Sequence, residues 1–381
     1  MAYFDNAATT YPKPDSVYFS MDQFYRRCGA NAGRGTYEQA QSASKLITDT
    51  RSQVQKLLCC PAKQVIFTPT ATIALNIIIQ GLMQTGVKNV YITPFEHNAV
   101  TRTLHHFEVT GRIHVEQLMV SHELDYDLGK IRCQFESVKP DLVIMSHASN
   151  VCGLIAPVEE LSLLAKQFCA VTVIDMAQTA GLVDCNVGLE TIDFAVFDGH
   201  KTMLGPTGIA GFIMKPDFEL PSTIFGGTGY DSANQNMPDS LPERFEMGTL
   251  NIAGIAGLNA ALHWIEETTV KVLREKEEEN RERLLELLET YDFIRVIGNR
   301  KGRDYVGIVS CLMEGISSES AGSIFDRLGI AVRTGLQCAP LAHRFFETYP
   351  AGTIRFSVNY FTSDQDFEEL KKAMEYIEES W

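Results

Sequence analysis

The sequence has no surplus of positive charge. Lysine and arginine together number 33 against 48 aspartates and glutamates, a formal net charge of −15 over 381 residues. Nucleic acids and anionic membrane surfaces both need a basic face, so neither is an expected partner. The chain also lacks any run of the roughly 18 uninterrupted apolar residues that a membrane span needs. Its first residues, Met1-Ala2-Tyr3-Phe4-Asp5, hold no basic stretch leading into an apolar one, so no signal peptide is expected. The nine cysteines include no pair with two-residue spacing, which argues against a zinc or dithiol motif. An odd count leaves at least one thiol unpaired. A reducing cytoplasm is the expected setting, with no metal site. Internal repeats and low-complexity segments are absent.

What is present is ordinary globular composition, 45% hydrophobic and 21% charged, which argues against disorder. The length suggests two domains. Helical spacing runs over 16–27 and 37–58. Short apolar strands at 65–68, 90–93, 113–118, 142–146, 171–174, 195–197 and 209–214 then alternate with helices near 72–83, 98–107 and 157–168. That alternation predicts an α/β domain with a largely parallel sheet. Beyond about residue 250 the texture changes to a charge-laced helical stretch, 252–288. Strands near 293–297, 306–313 and 354–358 come after it, with helices near 321–328 and from 365. This predicts an N-terminal segment (1–15) packing with a smaller domain, a large domain (16–250), and the smaller α+β domain itself (251–381).

In open α/β sheets, ligands sit beyond the carboxyl ends of the strands. The residues just after each strand are therefore the candidates. Thr68-Pro69-Thr70-Ala71-Thr72 opens a helix and suits an anion, although an ordinary N-cap has the same composition. Glu96 and His97 come after the next strand, and Ser149-Asn150 after a later one. Asp175 ends an apolar strand, where an unpaired acid is costly, and Gln178 lies close behind. Lys201 closes Phe197-Asp198-Gly199-His200-Lys201, ahead of Leu204-Gly205-Pro206-Thr207-Gly208. It reads either as a solvated loop lysine or as a partly desolvated amine suited to a Schiff base. An anion cradle, a flat imidazole, amides, a carboxylate and an amine on one edge are the set that pyridoxal phosphate requires.

Several stretches carry a resemblance to a known family. They are Tyr3-Phe4-Asp5-Asn6-Ala7-Ala8-Thr9, Asp175-Met176-Ala177-Gln178, Gly199-His200-Lys201 with its glycine-rich sequel, Arg244-Phe245-Glu246-Met247-Gly248-Thr249, and Arg333-Thr334-Gly335-Leu336-Gln337-Cys338-Ala339-Pro340-Leu341. The sequence resembles, almost end to end, the class V branch of fold-type I pyridoxal-phosphate enzymes. Within that branch it resembles the group II cysteine desulfurases, which include selenocysteine-lyase-like types. The resemblance implies a large, mainly parallel, seven-stranded-type sheet and a smaller C-terminal α+β unit.

It also implies roles. Lys201 would carry the cofactor as a Schiff base and move protons, with His97 stacking on the ring as an acid or base. Asp175 would meet the ring nitrogen, and Gln178 and Asn150 its phenolic oxygen. Ala71, Thr72 and His200 would bind phosphate, and Thr249 that of a second subunit in a homodimer, in the company of Arg34. Arg355 would clamp the carboxylate of L-cysteine or selenocysteine, with Asn150 and Arg333 beside it. Cys338 would be the nucleophile that takes the sulfur as a persulfide and passes it to an acceptor protein. From its residue type alone, without the surrounding motif, Cys338 reads as a small buried hydrophobe, like most free cysteines.

Met176 and Asp198 stand where the family usually has glycine and a hydroxyl residue, and Gly33 and Tyr37 replace histidines. Asp198 is expected to turn away from a phosphate and accept from backbone N–H groups or a cation, or else to stay protonated and donate to the phosphate. A selenocysteine lyase, a transaminase, or a family member weakened in catalysis are the alternative readings. A transaminase would need Lys201 and Arg355 but not Cys338.

Overall fold

The computed structural model describes residues 1–33 and 35–380. In chain order the elements are β1 (Ala2–Tyr3), α1 (Asp15–Cys28), α2 (Glu38–Leu57), β2 (Gln64–Thr68), α3 (Ala71–Gln84), β3 (Asn89–Ile92), α4 (Asn98–Glu108), β4 (His114–Gln117), α5 (Leu128–Ser137), β5 (Leu142–Ser146), α6 (Val158–Gln167), β6 (Val171–Asp175), β7 (Phe194–Asp198) and β8 (Ala210–Met214). They continue with α7 (Ile252–Thr268), α8 (Val270–Glu289), β9 (Ile294–Ile297), β10 (Ile308–Met313), α9 (Ser318–Arg327), β11 (Ile330–Ala331), β12 (Arg333–Gly335), α10 (Pro340–Phe345), β13 (Thr353–Ser357) and α11 (Asp364–Ser380). Among the described residues, no helix is long and apolar enough to cross a membrane.

Seven strands form one sheet in the order β2-β8-β7-β6-β5-β3-β4. Its pairings are parallel except where β8 lies antiparallel to β2 and β7. Strands β5, β7 and β8 are buried throughout, which is why they read as apolar runs rather than alternating ones. The strand period of two sorts each side chain to one face. Val65 and Phe67 join a core with Val143, Met145 and Ile174. Ile66 joins the opposite core with Ile92, Ile144 and Val173. In register, Ser146 faces Asp175, and Asp175 faces Val196. The carboxyl ends of the central strands are thus level, and the residues just beyond them meet on one edge.

A second, antiparallel sheet has the order β12-β13-β10-β9. Strand β1 pairs with β11, and Phe4 packs edge-on against Phe356 and Phe367. The expected continuous helix over 252–288 is broken at Thr269, which takes φ 75° and caps α8 by accepting from Val272 N–H. Three consecutive β-branched residues, Thr268-Thr269-Val270, disfavour an unbroken helix there. Helices α5 and α10 were not expected. Helix α5 starts on Asp127, whose carboxylate caps Lys130 N–H at 3.1 Å, and α10 opens on Pro340.

Candidate active site

Five strands deliver candidate side chains to one cavity at the carboxyl edge. Ala71 and Thr72 arrive after β2, His97 after β3, Asn150 after β5, Asp175 and Gln178 at and after β6, and Lys201 after β7. At α3, Thr70 caps Ile73 N–H at 3.2 Å. The amides of Ala71 and Thr72 precede any possible intrahelical partner and are the free end of the helix dipole. His97 caps α4, its Nδ1 accepting from Ala99 N–H at 3.0 Å. That bond leaves the ring proton on Nε2. Burial, and secondarily the Lys201 charge, push His97 down to about 4, so the ring is neutral near pH 7.

Asp175 is buried and accepts from Ala177 N–H at 3.0 Å. Burial raises its affinity for a proton, against the pull of that N–H and of Lys201. Gln178 donates to the Ala7 carbonyl at 2.9 Å. Met176 is fully buried in the core on one face of the sheet, so its side chain does not take up cavity space.

Asp198 lines the same cavity. Its partners are side chains of the same loop: His200 Nε2 lies 3.2 Å and Lys201 Nζ 3.9 Å from one carboxylate oxygen. Burial acts to raise the Asp198 pKa, but the His200 hydrogen bond and the Lys201 charge outweigh it and hold the group low. The ionised form is therefore favoured, not the protonated one. His200 is not among the residues lining the cavity, and its Nδ1 is buried with no partner among the described residues. Thr249 is exposed on the chain's surface and away from the cavity. Arg34 lies outside the described residues.

Asn150 links this cavity to the remaining candidates. Its Nδ2 donates to the Gln337 carbonyl at 2.6 Å, and its own carbonyl accepts from Arg355 at 2.9 Å. Arg355 is buried and also reaches Asp5 at 3.2 Å. Arg333 takes the other Asp5 oxygen at 2.6 Å. Cys338 is exposed, in a groove of about 760 Å³ that Arg333 also lines. Its carbonyl accepts from Asn98 N–H at 2.7 Å, one residue from His97.

Sequence reasoning missed several residues here. Asp5 joins both arginines. Thr9, Thr10 and Lys13 fasten the His200-Lys201 segment: both Thr9 Oγ1 and Lys13 Nζ bond the His200 carbonyl, and Thr10 Oγ1 bonds that of Lys201. The hydroxyl pair Thr9-Thr10, at the end of the N-terminal motif and just beyond it, was the available signal.

Glu96, a candidate by position alone, proves to be a structural tie. It is fully buried, accepting from Thr93 Oγ1 at 2.7 Å, Ser146 N–H at 2.7 Å and Ser146 Oγ at 2.8 Å. It thereby ties the loop that carries His97 to β5. Burial pushes it up to about 7 from an ordinary 4.5. The folded state holds this proton more tightly than the unfolded chain does. The stability it contributes is full below pH 4.5 and lost as pH rises to about 7. Relative to Glu96→Gln, wild type should lose roughly 3 kcal/mol of unfolding free energy across that window. Urea unfolding of both proteins at several pH values checks this. Glu277, also raised to about 7 by burial, remains in both proteins and cancels. A pH-independent difference would contradict the assignment.

The residues fit a cofactor that is anionic at one end and cationic at a ring nitrogen. Asn150 Oδ1, His200 Nδ1 and Arg355 Nε are buried around the site with no partner among the described residues, a costly condition for polar atoms unless a ligand meets them. Asp175 offers a buried carboxylate to a ring N–H, and the α3 amides offer themselves to a phosphate.

The class-V aminotransferase family model matches residues 2–370. A protein of Pyrococcus abyssi named "Probable cysteine desulfurase" is 31% identical over 386 residues, covering 99% of this chain and 94% of its own. The apo structure of a cysteine desulfurase from Thermococcus onnurineus NA1 superposes with a TM-score of 0.92 at 28% identity, covering 100% of this chain and 95% of that one. The Escherichia coli cysteine desulfurase CsdA, at 23% identity and a TM-score of 0.85 over 99% of this chain and 94% of its own, shares the fold.

Proposed function

The chain belongs to the class-V aminotransferase family, and on that premise we propose that it is a pyridoxal-phosphate-dependent cysteine desulfurase, converting L-cysteine to L-alanine with the sulfur left as a persulfide on Cys338. The observation that carries the reading is Asn150. This one residue lines the Lys201 cavity, holds the turn of Cys338 and accepts from Arg355.

Bound at Lys201, the cofactor supplies an electron sink for the bonds at the substrate Cα. The chain's own residues do the rest. Ala71 and Thr72 amides and His200 would hold the phosphate, and Asp175 would share a proton with the ring nitrogen. Gln178 and Asn150 would border the phenolic oxygen. His97, neutral with its proton on Nε2, presents a flat donor ring. Lys201 Nζ would take and return the Cα proton. The free Nε of Arg355 would receive the substrate carboxylate, with Arg333 beside it.

Cys338, reacting as the thiolate, attacks the substrate sulfur. Its electron pair forms the S–S bond, and the pair of the breaking C–S bond goes to Cβ, which is protonated to the methyl group of alanine. Incubation of the purified protein with L-cysteine and a thiol reductant should release alanine in step with sulfide. Alanine release without sulfur release would contradict the reading. The exposed Cys338 supports onward delivery to an acceptor protein, which trapping as a mixed disulfide at this residue would identify.

Asp198 sets how firmly the cofactor stays. An ionised carboxylate would repel a phosphate charge about 4 Å away by about 4 kcal/mol at an effective dielectric near 20. Asp198→Ser should therefore lose pyridoxal phosphate more slowly through dialysis, by about tenfold or more. Faster loss from the serine variant would make Asp198 a contributor to binding and overturn this assignment.

A homodimer is part of the proposal. Thr249 is exposed and does not line its own chain's cavity, and it could serve that of a second copy. Sedimentation at micromolar concentration should show a dimer, and a fully active monomer would contradict it.

A further inference from the structure

The turn that presents Cys338 is held by side chains to which the reaction assigns no task. Gln337 and Cys338 both sit at positive φ, 40° and 57°, and Ala339 N–H closes the turn on the Leu336 carbonyl at 2.8 Å. Asparagine and glycine usually fill such a pair of positions, because a larger side chain crowds the backbone there. Neither is present. The buried Gln337 side chain instead spans two partners. Its Nε2 donates to the Thr353 carbonyl at 3.0 Å, and its Oε1 lies 2.8 Å from His343 Nε2.

The Thr353 carbonyl can only accept, so it fixes which end of the amide faces it. Gln337 Oε1 therefore meets His343, and His343 Nε2 must carry the proton. Nδ1 of the same ring then accepts from the Thr348 hydroxyl at 2.7 Å. His343 is fully buried. Burial pushes it down to about 4 against the pull of the Leu336 carbonyl, so it stays neutral in this one tautomer near pH 7. Each of these side-chain atoms has its partner, the condition under which a buried polar chain becomes rigid. The backbone is tied as well, with Asn150 on the Gln337 carbonyl and Asn98 N–H on that of Cys338.

We propose that Gln337 and His343 are positioning residues for the sulfur-accepting thiol: the chain Thr353–Gln337–His343–Thr348 sets where Cys338 stands relative to the Lys201 cavity. This rests on Cys338 being the nucleophile. A mere support for a strained turn would use the same contacts, and one substitution separates the two roles. Asparagine enters the left-handed region more readily than glutamine does, so Gln337→Asn should keep or ease the turn. Its side chain is one methylene shorter and cannot span both Thr353 and His343.

For Gln337→Asn, kcat for alanine formation should fall about 10- to 100-fold, while KM and the absorbance change on adding L-cysteine stay within about twofold of wild type. His343→Leu should show the same split. If that second variant does not fold, Gln337→Asn decides alone. A Gln337→Asn protein with wild-type kcat overturns the inference. Cys338→Ala, run alongside, separates the two levels. If it retains activity, the nucleophile reading fails and takes the inference with it. If it is inactive while Gln337→Asn is fully active, only the inference fails.

Discussion

Cys338→Ala abolishes sulfur transfer, by at least about 10³-fold, and leaves cofactor binding intact. The size of the loss follows from the chemistry, because Cys338 is the one cysteine among the described residues that line its groove. The selectivity follows from the structure. Cys338 is exposed, and its backbone carbonyl, not its thiol, makes the bond to Asn98. Alanine at φ 57° inherits the same backbone and loses no packing. The variant should match wild type in melting temperature, in yellow absorbance and in the spectral response to L-cysteine. A Cys338→Ala protein that still desulfurises at the wild-type rate would return the chain to the transaminase reading, which needs Lys201 and Arg355 but not this thiol.

Lys201→Ala loses the covalently held cofactor and at least about 10³-fold in activity at saturating pyridoxal phosphate. Borohydride treatment of the wild type should fix the cofactor on the Lys201 peptide alone. The rival amine is Lys13, which burial pushes down to about 8 and which is close enough to feel the Asp198 charge. Its Nζ, however, donates to the carbonyls of Thr10 and His200 at 2.9 and 3.0 Å, and it does not line the cavity. Lys201 does line it, and the Thr9-Thr10 hydroxyls and Lys13 hold its segment in place. Label recovered on Lys13 would overturn the assignment.

The central strands were legible because burial on both faces strips them of polar residues. Once β5, β6 and β7 were placed, the rule for sheet edges brought Asn150, Asp175 and Lys201 to one side, and the structure puts them in one cavity. The direction of β8 was not legible, since an apolar strand reads alike both ways. The short β11, β12 and α10 hold too few residues to show a period.

The pairing of Asp5 with Arg333 and Arg355 joins positions about 330 and 350 residues apart, and no local pattern encodes it. The partners of Asp198 were illegible for a related reason, because the approach of His200 and Lys201 to it depends on how the loop folds back. Thr249 poses a different problem, because its proposed task belongs to another copy of the chain.

The central claim is that one sulfur atom moves from L-cysteine to Cys338. A single turnover tests it most directly. Purified protein carrying its cofactor is mixed with L-cysteine without reductant, and alanine and intact protein mass are followed together. The account predicts one alanine per active site, a gain of one sulfur atom per chain, and that sulfur on the Cys338 peptide. Alanine formed with no sulfur on the chain, or sulfur found on any of the other cysteines, would contradict it.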